Sequence, residues 1–414
     1  MGCCWSRWRR PEIYHVLPGS ESHNEFTRSS LEAIDYIETL TDRFTTHKKE
    51  RYKAMLTDIH AFFAANPLLF FKDLKTRYAL DSTIISGAPI QYILFDFHIL
   101  NQTTVKLPNN RMVWTFDHFD QCTIAPIDYD WCRAATSLAI FAQSRGVEVK
   151  VRDLCDALLS AYMSEAYKFN TGSMTPVWVE PFTAPPFGLL CRIAKKLDYN
   201  DLCTNGKFRP QSQEYKIDPN TRQSFVKLLK TLHPNLEVLD VNLWTDMDGN
   251  TAGMQRVWFL VKAFEGRIEI LELRELGPMP KEFRTQYTHY ASPSDLHEIA
   301  VHSNILFGFN FDKYMRGCFY QGKPYILKQL NEHGTFLDDV SILWDTEILH
   351  NTADVMGRLL ARAHARTCFD KKAYNKWLRK KSKKYAIDRL TQFVQLYIVQ
   401  CKNDYESMVH MYPM

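Results

Sequence analysis

A chain of 414 residues with 45% hydrophobic side chains is long enough for one large two-lobed domain or two ordinary ones, and apolar enough to fill a sizeable core. Charged residues make up 24%, and 51 basic against 47 acidic side chains leave a formal charge of +4, too slight an excess for a nucleic-acid binder. The ten cysteines are scattered without a CxxC pair, there is no secretory apolar region, and no apolar run approaches the ~20 residues of a membrane-spanning helix; a reduced, cytoplasmic protein is expected.

Met1-Gly2-Cys3-Cys4-Trp5-Ser6 fits the myristoylation pattern, with Cys3 and Cys4 as palmitate acceptors and Arg7, Arg9 and Arg10 as a further membrane signal. That reading of residues 1–28 as a peripheral anchor holds only in a eukaryotic cytosol, where the acylating enzymes are; elsewhere the Met-Gly start is an accident. Leu31, Ile34, Ile37 and Leu40, then Tyr52, Met55, Ile59, Phe62 and Phe63, predict two or three helices, and Pro67 breaks the pattern.

Gln91 to Phe95 reads as a strand that runs into Asp96-Phe97-His98-Ile99-Leu100-Asn101, followed by a loop, a second short strand over Arg111 to Phe116, and Asp117-His118-Phe119-Asp120. Such a hairpin-like device suits phosphoryl transfer. Asp96 is positioned as the base or substrate-orienting carboxylate, while Asn101 with Asp117 or Asp120 can hold a divalent metal on phosphates. His98 reads as a residue that fixes the loop by hydrogen bonding, or as a satisfied core histidine, rather than as one that titrates.

Pro126-Ile-Asp128-Tyr-Asp130-Trp-Cys-Arg133 leads into Ala134 to Ala142, small and apolar all round, as a helix buried beneath a site would be, with Asp128 and Asp130 at its favourable N-terminal end. Amphipathic helices are expected at 150–167 and 222–233, with irregular connections at 178–186 and 204–222. From Leu236 the texture becomes that of an antiparallel meander. Runs at 236–243 and 256–264 flank Asp246-Met-Asp248-Gly249-Asn-Thr-Ala-Gly253; a third, 267–273, ends in Arg274-Glu275; a helix at 294–306 and strands at 315–319 and 324–329, turning at Gln321-Gly322, follow. Beyond Asp345 the chain is helical, with a close-packing Gly357 in Val355 to Ala365 and a long amphipathic helix from Arg389 to Met411. Between these lie Lys371, Lys372, Lys376, Arg379, Lys380, Lys381, Lys383 and Lys384, which can face phosphates, an anionic membrane or plain water.

Taken together, the pieces resemble the bacterial domain-of-unknown-function 2252 family, whose motifs are similar to those of the protein-kinase and aminoglycoside-phosphotransferase superfamily. Its Gly-Asp-x-His-x-x-Asn element falls on Phe95 to Asn101, with Phe95 in place of Gly. Its Asn-Asp-Phe-Asp element falls on Asp117 to Asp120, with His118 where the metal-binding Asp is expected, and Pro-x-x-x-Asp-x-x-Arg falls on Pro126 to Arg133. The glycine turn resembles Asp248 to Gly253, the Lys-Glu strand end Arg274-Glu275, the Arg-Gln-Leu element Lys328 to Leu330, and Leu-Ala-Arg-Ala-His-Ala-Arg stands intact at 360–366.

The resemblance implies an α+β, two-lobed protein-kinase-like fold. In ordinary kinase-like chains the glycine loop and the Leu-Ala-x-x-His helix precede the catalytic loop; here the catalytic loop comes first, which implies a circular permutation. Residues 29–235 and 331–414 would form the large lobe and 236–330 the small one. ATP with Mg²⁺ would lie between them, with Gly249, Gly253, Arg274, Glu275 and Lys328 toward the nucleotide. Two functions are expected: a phosphotransferase acting on a hydroxyl of a small molecule or protein, or a catalytically degenerate kinase-like module that binds a partner. His118, Arg274 in place of Lys, and the acidic Asp246 and Asp248 favour the second.

Overall fold

The helix Asp128–Ser144 buries every side chain from Asp130 to Ala142, and the larger of two cores is assembled around it. In the computed structural model of the protein, the residues described are 28–44, 48–76, 88–106, 111–117, 122–170, 185–194, 202–209, 214–215, 217–245, 254–263, 266–276, 312–330, 337, 344–380 and 383–413. In chain order their elements are α1 (Ser30–Phe44), α2 (Lys48–Met55), α3 (Ile59–Ala65), α4 (Pro67–Thr76), β1 (Ile90–Ile93), β2 (Gln102–Lys106), β3 (Met112–Phe116), β4 (Thr123–Pro126), α5 (Asp128–Ser144), α6 (Val151–Asn170), α7 (Phe187–Ile193), β5 (Cys203–Thr204), β6 (Lys207–Phe208), β7 (Glu214–Tyr215) and α8 (Pro219–Leu232). They continue with β8 (Glu237–Thr245), β9 (Gln255–Lys262), β10 (Ile268–Glu275), β11 (Arg316–Tyr320), β12 (Lys323–Gln329), α9 (Thr346–Thr367), α10 (Lys371–Lys380) and α11 (Lys383–Met411). The architecture is a mixture of helices and small antiparallel sheets. No described helix is long and apolar enough to cross a membrane.

Local chemistry sets several element ends. Asp345 caps α9 by accepting from the Ile348 N–H at 2.8 Å, and Asp218 caps α8, which opens on Pro219. The most extensive helix pairing among the described residues joins α9 to α6. At Gly357 an added Cβ would stand 2.2 Å from the Leu158 carbonyl oxygen, so only glycine admits this approach. Beside it, buried Arg362 pairs with buried Glu165 at 2.7 Å. Arg28 donates to Asp73 at 2.8 Å and to Asp404 at 2.6 Å, joining the start of α1 to α4 and α11.

The strand expected over 91–95 does not pair with the one over 111–116. Instead β1 pairs with β4, and β3 pairs with β2, a strand absent from the sequence reading. Gln102-Thr103-Thr104-Val105-Lys106 is largely polar and shows no apolar alternation, yet Gln102 to Val105 are buried. The result is one two-stranded ladder nested inside the other, with residues 94–101 as the turn between β1 and β2.

The second core belongs to a six-stranded antiparallel sheet of order β11-β12-β10-β9-β8-β7. Its β11–β12 turn is Gln321-Gly322, both at positive φ (49° and 78°), the type I′ geometry for which glycine is suited. Alternation divides the sheet faces. Leu271, Leu273, Val257, Phe259 and Leu327 pack with Phe225 and Leu229 of α8, so the unit reaches back before the boundary expected at 236. On the other face, Ile326 joins the larger core together with Met254, Leu276 and Met315, seating the sheet on the helical body.

Candidate active site

Everything in the site hangs on how β1 ends. Phe95 has φ of 67°, a left-handed conformation that costs a non-glycine residue about 1–3 kcal/mol, and it occupies the position where the resembling family carries glycine. Its ring stacks on Phe71 at 4.0 Å. The bend turns the Leu94 and Phe95 N–H groups inward, where Asp130 of α5 accepts both, at 2.8 and 3.1 Å. Asp130 also meets His364 Nε2 of α9 at 3.1 Å, His364 Nδ1 lies 2.9 Å from the Tyr162 hydroxyl, and Tyr162 lies 2.7 Å from the Tyr374 hydroxyl of α10. Gln91 adds a bond to the His364 carbonyl at 3.0 Å. The first turn of α5, a helix from 346–367 and a helix from 371–380 thus converge on one bend.

Asp96 follows the bend. Arg133, one turn beyond Asp130 on α5, donates to its Oδ1 at 2.8 Å and also to the carbonyls of Phe63 and Ala64, with its guanidinium 3.9 Å over the Phe63 ring. Asn101 donates its amide to the Asp96 carbonyl at 2.6 Å. Asp117 in turn donates its N–H to the Asn101 carbonyl at 2.9 Å, so the end of β3 is locked beside the end of the loop. Asp96, His98 and Asn101 are all buried, and Asp117 is half-buried.

His98 stacks edge-on against His60 of α3 at 5.7 Å, and His60 Nε2 lies 3.4 Å from the Ser137 hydroxyl, which accepts from the Ile99 N–H at 2.8 Å. Burial, helped by His98 and Arg133, lowers His60 to about 3, so this histidine is neutral packing against the loop.

The charged face of the sheet meets the hairpin here. Lys328 of β12 is the registered partner of Glu272 on β10, with Nζ 3.8 Å from Glu272 and 3.9 Å from Asp117. Arg256 of β9 pairs with Glu272 at 3.1 Å, and Arg274 stands two residues along β10 on the same face. Burial would raise Glu272, but Arg256, Lys328 and Arg274 outweigh it and hold the carboxyl at about 2. Glu275 stands on the opposite face, 2.8 Å from Lys323. The structure therefore links Asp96, Asn101 and Asp117 in a chain of hydrogen bonds and brings Lys328 to Asp117, while His98 packs on His60, Arg274 stands beside Glu272, and Glu275 lies on the opposite face. Asp120, His118, Gly249, Gly253, Gly2, Cys3 and Cys4 lie outside the described residues.

Among the described residues no group of three or more His, Cys, Asp or Glu side chains converges as a metal site. What this part of the chain offers is an amide on Asn101 and a carboxylate on Asp117, residues joined by a backbone hydrogen bond and carrying hard oxygen donors of the kind Mg²⁺ takes alongside phosphate oxygens and water, with the Lys328 cation 3.9 Å from Asp117.

A family model described as "Uncharacterized protein conserved in bacteria (DUF2252)" matches residues 43–203 and 300–411, more than half of the chain. The chain belongs to this family. The matched segments carry the 94–101 loop, α5, Lys328 and α9, whereas Arg256, Glu272 and Arg274 lie between them. No curated protein and no solved structure matches the chain.

Three residues of the site have roles that sequence reasoning missed. In the sequence Asp130 and Arg133 read as parts of a helix start and a family element, and Glu272 as one position in an alternating strand. The available signal was the charge itself: Asp130 and Arg133 sit on a helix apolar all round, where buried charges need partners.

Proposed function

We propose that this DUF2252 protein is an ATP-dependent phosphotransferase acting on a hydroxyl of a small molecule or protein, on a two-lobed protein-kinase-like fold in circularly permuted order. The observation that carries the reading is the 3.9 Å approach of Lys328, on the sheet, to Asp117, which is bonded through its backbone to Asn101. A cation for phosphate, two oxygen donors for metal and a buried, oriented carboxylate are what phosphoryl transfer requires. The permuted order is supported by α9, which comes from the far end of the chain yet packs on β1 and on Asp130 beneath the loop.

In this mechanism Asn101 and Asp117 would hold Mg²⁺, and Lys328, backed by the positive charge of Arg274 and Arg256, would receive the phosphates. ATP with its metal, when bound, supplies the transferable phosphoryl group and the neutralisation of its developing charge. Asp96 orients the acceptor hydroxyl and takes its proton, while Arg133 fixes the carboxylate so that its position is set before substrate arrives. Peripheral membrane attachment through Gly2, Cys3 and Cys4 belongs to the proposal only for a chain that meets eukaryotic acylating enzymes. In a family described as conserved in bacteria, it adds nothing to the chemistry.

The degenerate, partner-binding reading is favoured by one observation: Asp96 and Asp117 are each already matched by a cation, Arg133 and Lys328. A thermal-shift titration with ATP and Mg²⁺ or Mn²⁺ separates the two. An active-type site is stabilised, by about 2.7 kcal/mol at a hundredfold excess over Kd, and the shift disappears in Lys328→Ala and Asn101→Ala. No shift with any nucleotide sinks the phosphotransferase. Stabilisation without phosphoryl transfer to any hydroxyl or to water supports the degenerate module.

A further inference from the structure

Helix α10 has two unlike sides. Tyr374 and Trp377 are buried, Tyr374 on the Tyr162 hydroxyl and Trp377 5.5 Å from the Trp131 ring. At helical spacing the opposite half carries Lys371, Lys372, Lys376 and Arg379, all exposed. None of these four has an acidic side chain within ion-pair distance among the described residues, in contrast to Lys383, which pairs with Asp156 at 3.6 Å. The segment 371–384 contains no acid at all. In sequence this basic face is bracketed by two exposed aromatics, Phe369 at 50% and Tyr385 at 43% exposure.

We infer that α10 is a docking face for an anionic phospholipid bilayer. Unpaired cations on one half of a single helix meet a plane of negative headgroups together, and each Lys or Arg near such a surface contributes about fivefold in affinity. Flanking Phe and Tyr are the side chains that settle at the headgroup boundary, where an apolar ring leaves water. The underside is locked by Trp131 and Tyr162, so the face is rigid before contact and little ordering entropy opposes binding. This inference does not rest on phosphotransferase activity, and it needs no lipid chain on the protein.

Co-sedimentation of the full chain with vesicles tests it. The protein is expected to pellet with phosphatidylglycerol-containing vesicles and not with pure phosphatidylcholine ones, and to be released by high salt. Lys372→Gln with Lys376→Gln should lower the partition coefficient by about 25-fold, the matching Lys→Arg pair should retain it, and Phe369→Ser should weaken it at low salt. Circular dichroism of each variant checks that these exposed substitutions leave the fold intact. No binding to anionic vesicles, equal binding by the Gln variant, or tighter binding to duplex nucleic acid than to the vesicles would each overturn the inference.

Discussion

The Asp96 carboxylate and the Arg133 guanidinium meet at 2.8 Å with their side chains 2% and 0% exposed. A pair so deeply buried contributes little net stability against an apolar replacement of both partners, yet removing one partner strands the other. Arg133→Met is therefore expected to cost about 3–5 kcal/mol in urea denaturation, because Asp96 and the Phe63 and Ala64 carbonyls all lose their donor. Adding Asp96→Asn should return part of that loss, giving a coupling energy in a double-mutant cycle. A cost below about 1 kcal/mol would show that the ion pair does not hold the loop.

Phe95 invites a reversal of the usual glycine penalty. Phe95→Ala removes the stack on Phe71 and keeps the left-handed backbone, and a loss of about 3–5 kcal/mol is expected. Phe95→Gly removes the same ring but relieves the backbone, so it should be more stable than the Ala variant by about 1 kcal/mol. Equilibrium unfolding of the two side by side checks the order.

The third expectation concerns pH. Asp128 is fully buried, and its side-chain oxygens have no hydrogen-bond partner of good geometry among the described residues. Burial raises its carboxyl well above the ordinary value, against smaller opposing effects of its own and the Tyr129 N–H. Since the folded pKa lies above the unfolded one, the contribution to stability is full below the unfolded value near 3.8 and is lost as pH rises toward the folded value. Asp128→Asn should therefore stabilise the protein at pH 7 and should shrink the difference between melts at pH 4 and pH 7. An unchanged difference would mean that Asp128 is ionised in the fold.

The parts of the site that are contiguous in sequence were readable from it. Asp96, His98 and Asn101 lie on one turn, and Asp117 closes the following strand, so spacing alone placed them near one another. The meander around β8 to β10 was legible from its alternation, as was the close approach at Gly357. What escaped were relationships that only tertiary packing creates. The β2 strand buries Gln102, Thr103 and Thr104 on both of its faces, a burial no periodicity announces. Arg274 and Glu275 look like a unit in the sequence, yet the two-residue period of a strand sends them to opposite faces. The contribution of α8 to the sheet's core depends on Phe225 and Leu229 meeting strands that follow it by dozens of residues.

The bond between His364 and Asp130 spans 234 residues of chain. At typical elongation rates, roughly 10 to 50 seconds of synthesis separate the two. Throughout that interval the Leu94 to Asn101 bend is already made but lacks the helix that sits beneath Asp130. A nascent chain or a fragment ending before the 360s therefore carries every candidate catalytic side chain of the loop but lacks His364, the partner that holds Asp130 beneath the bend.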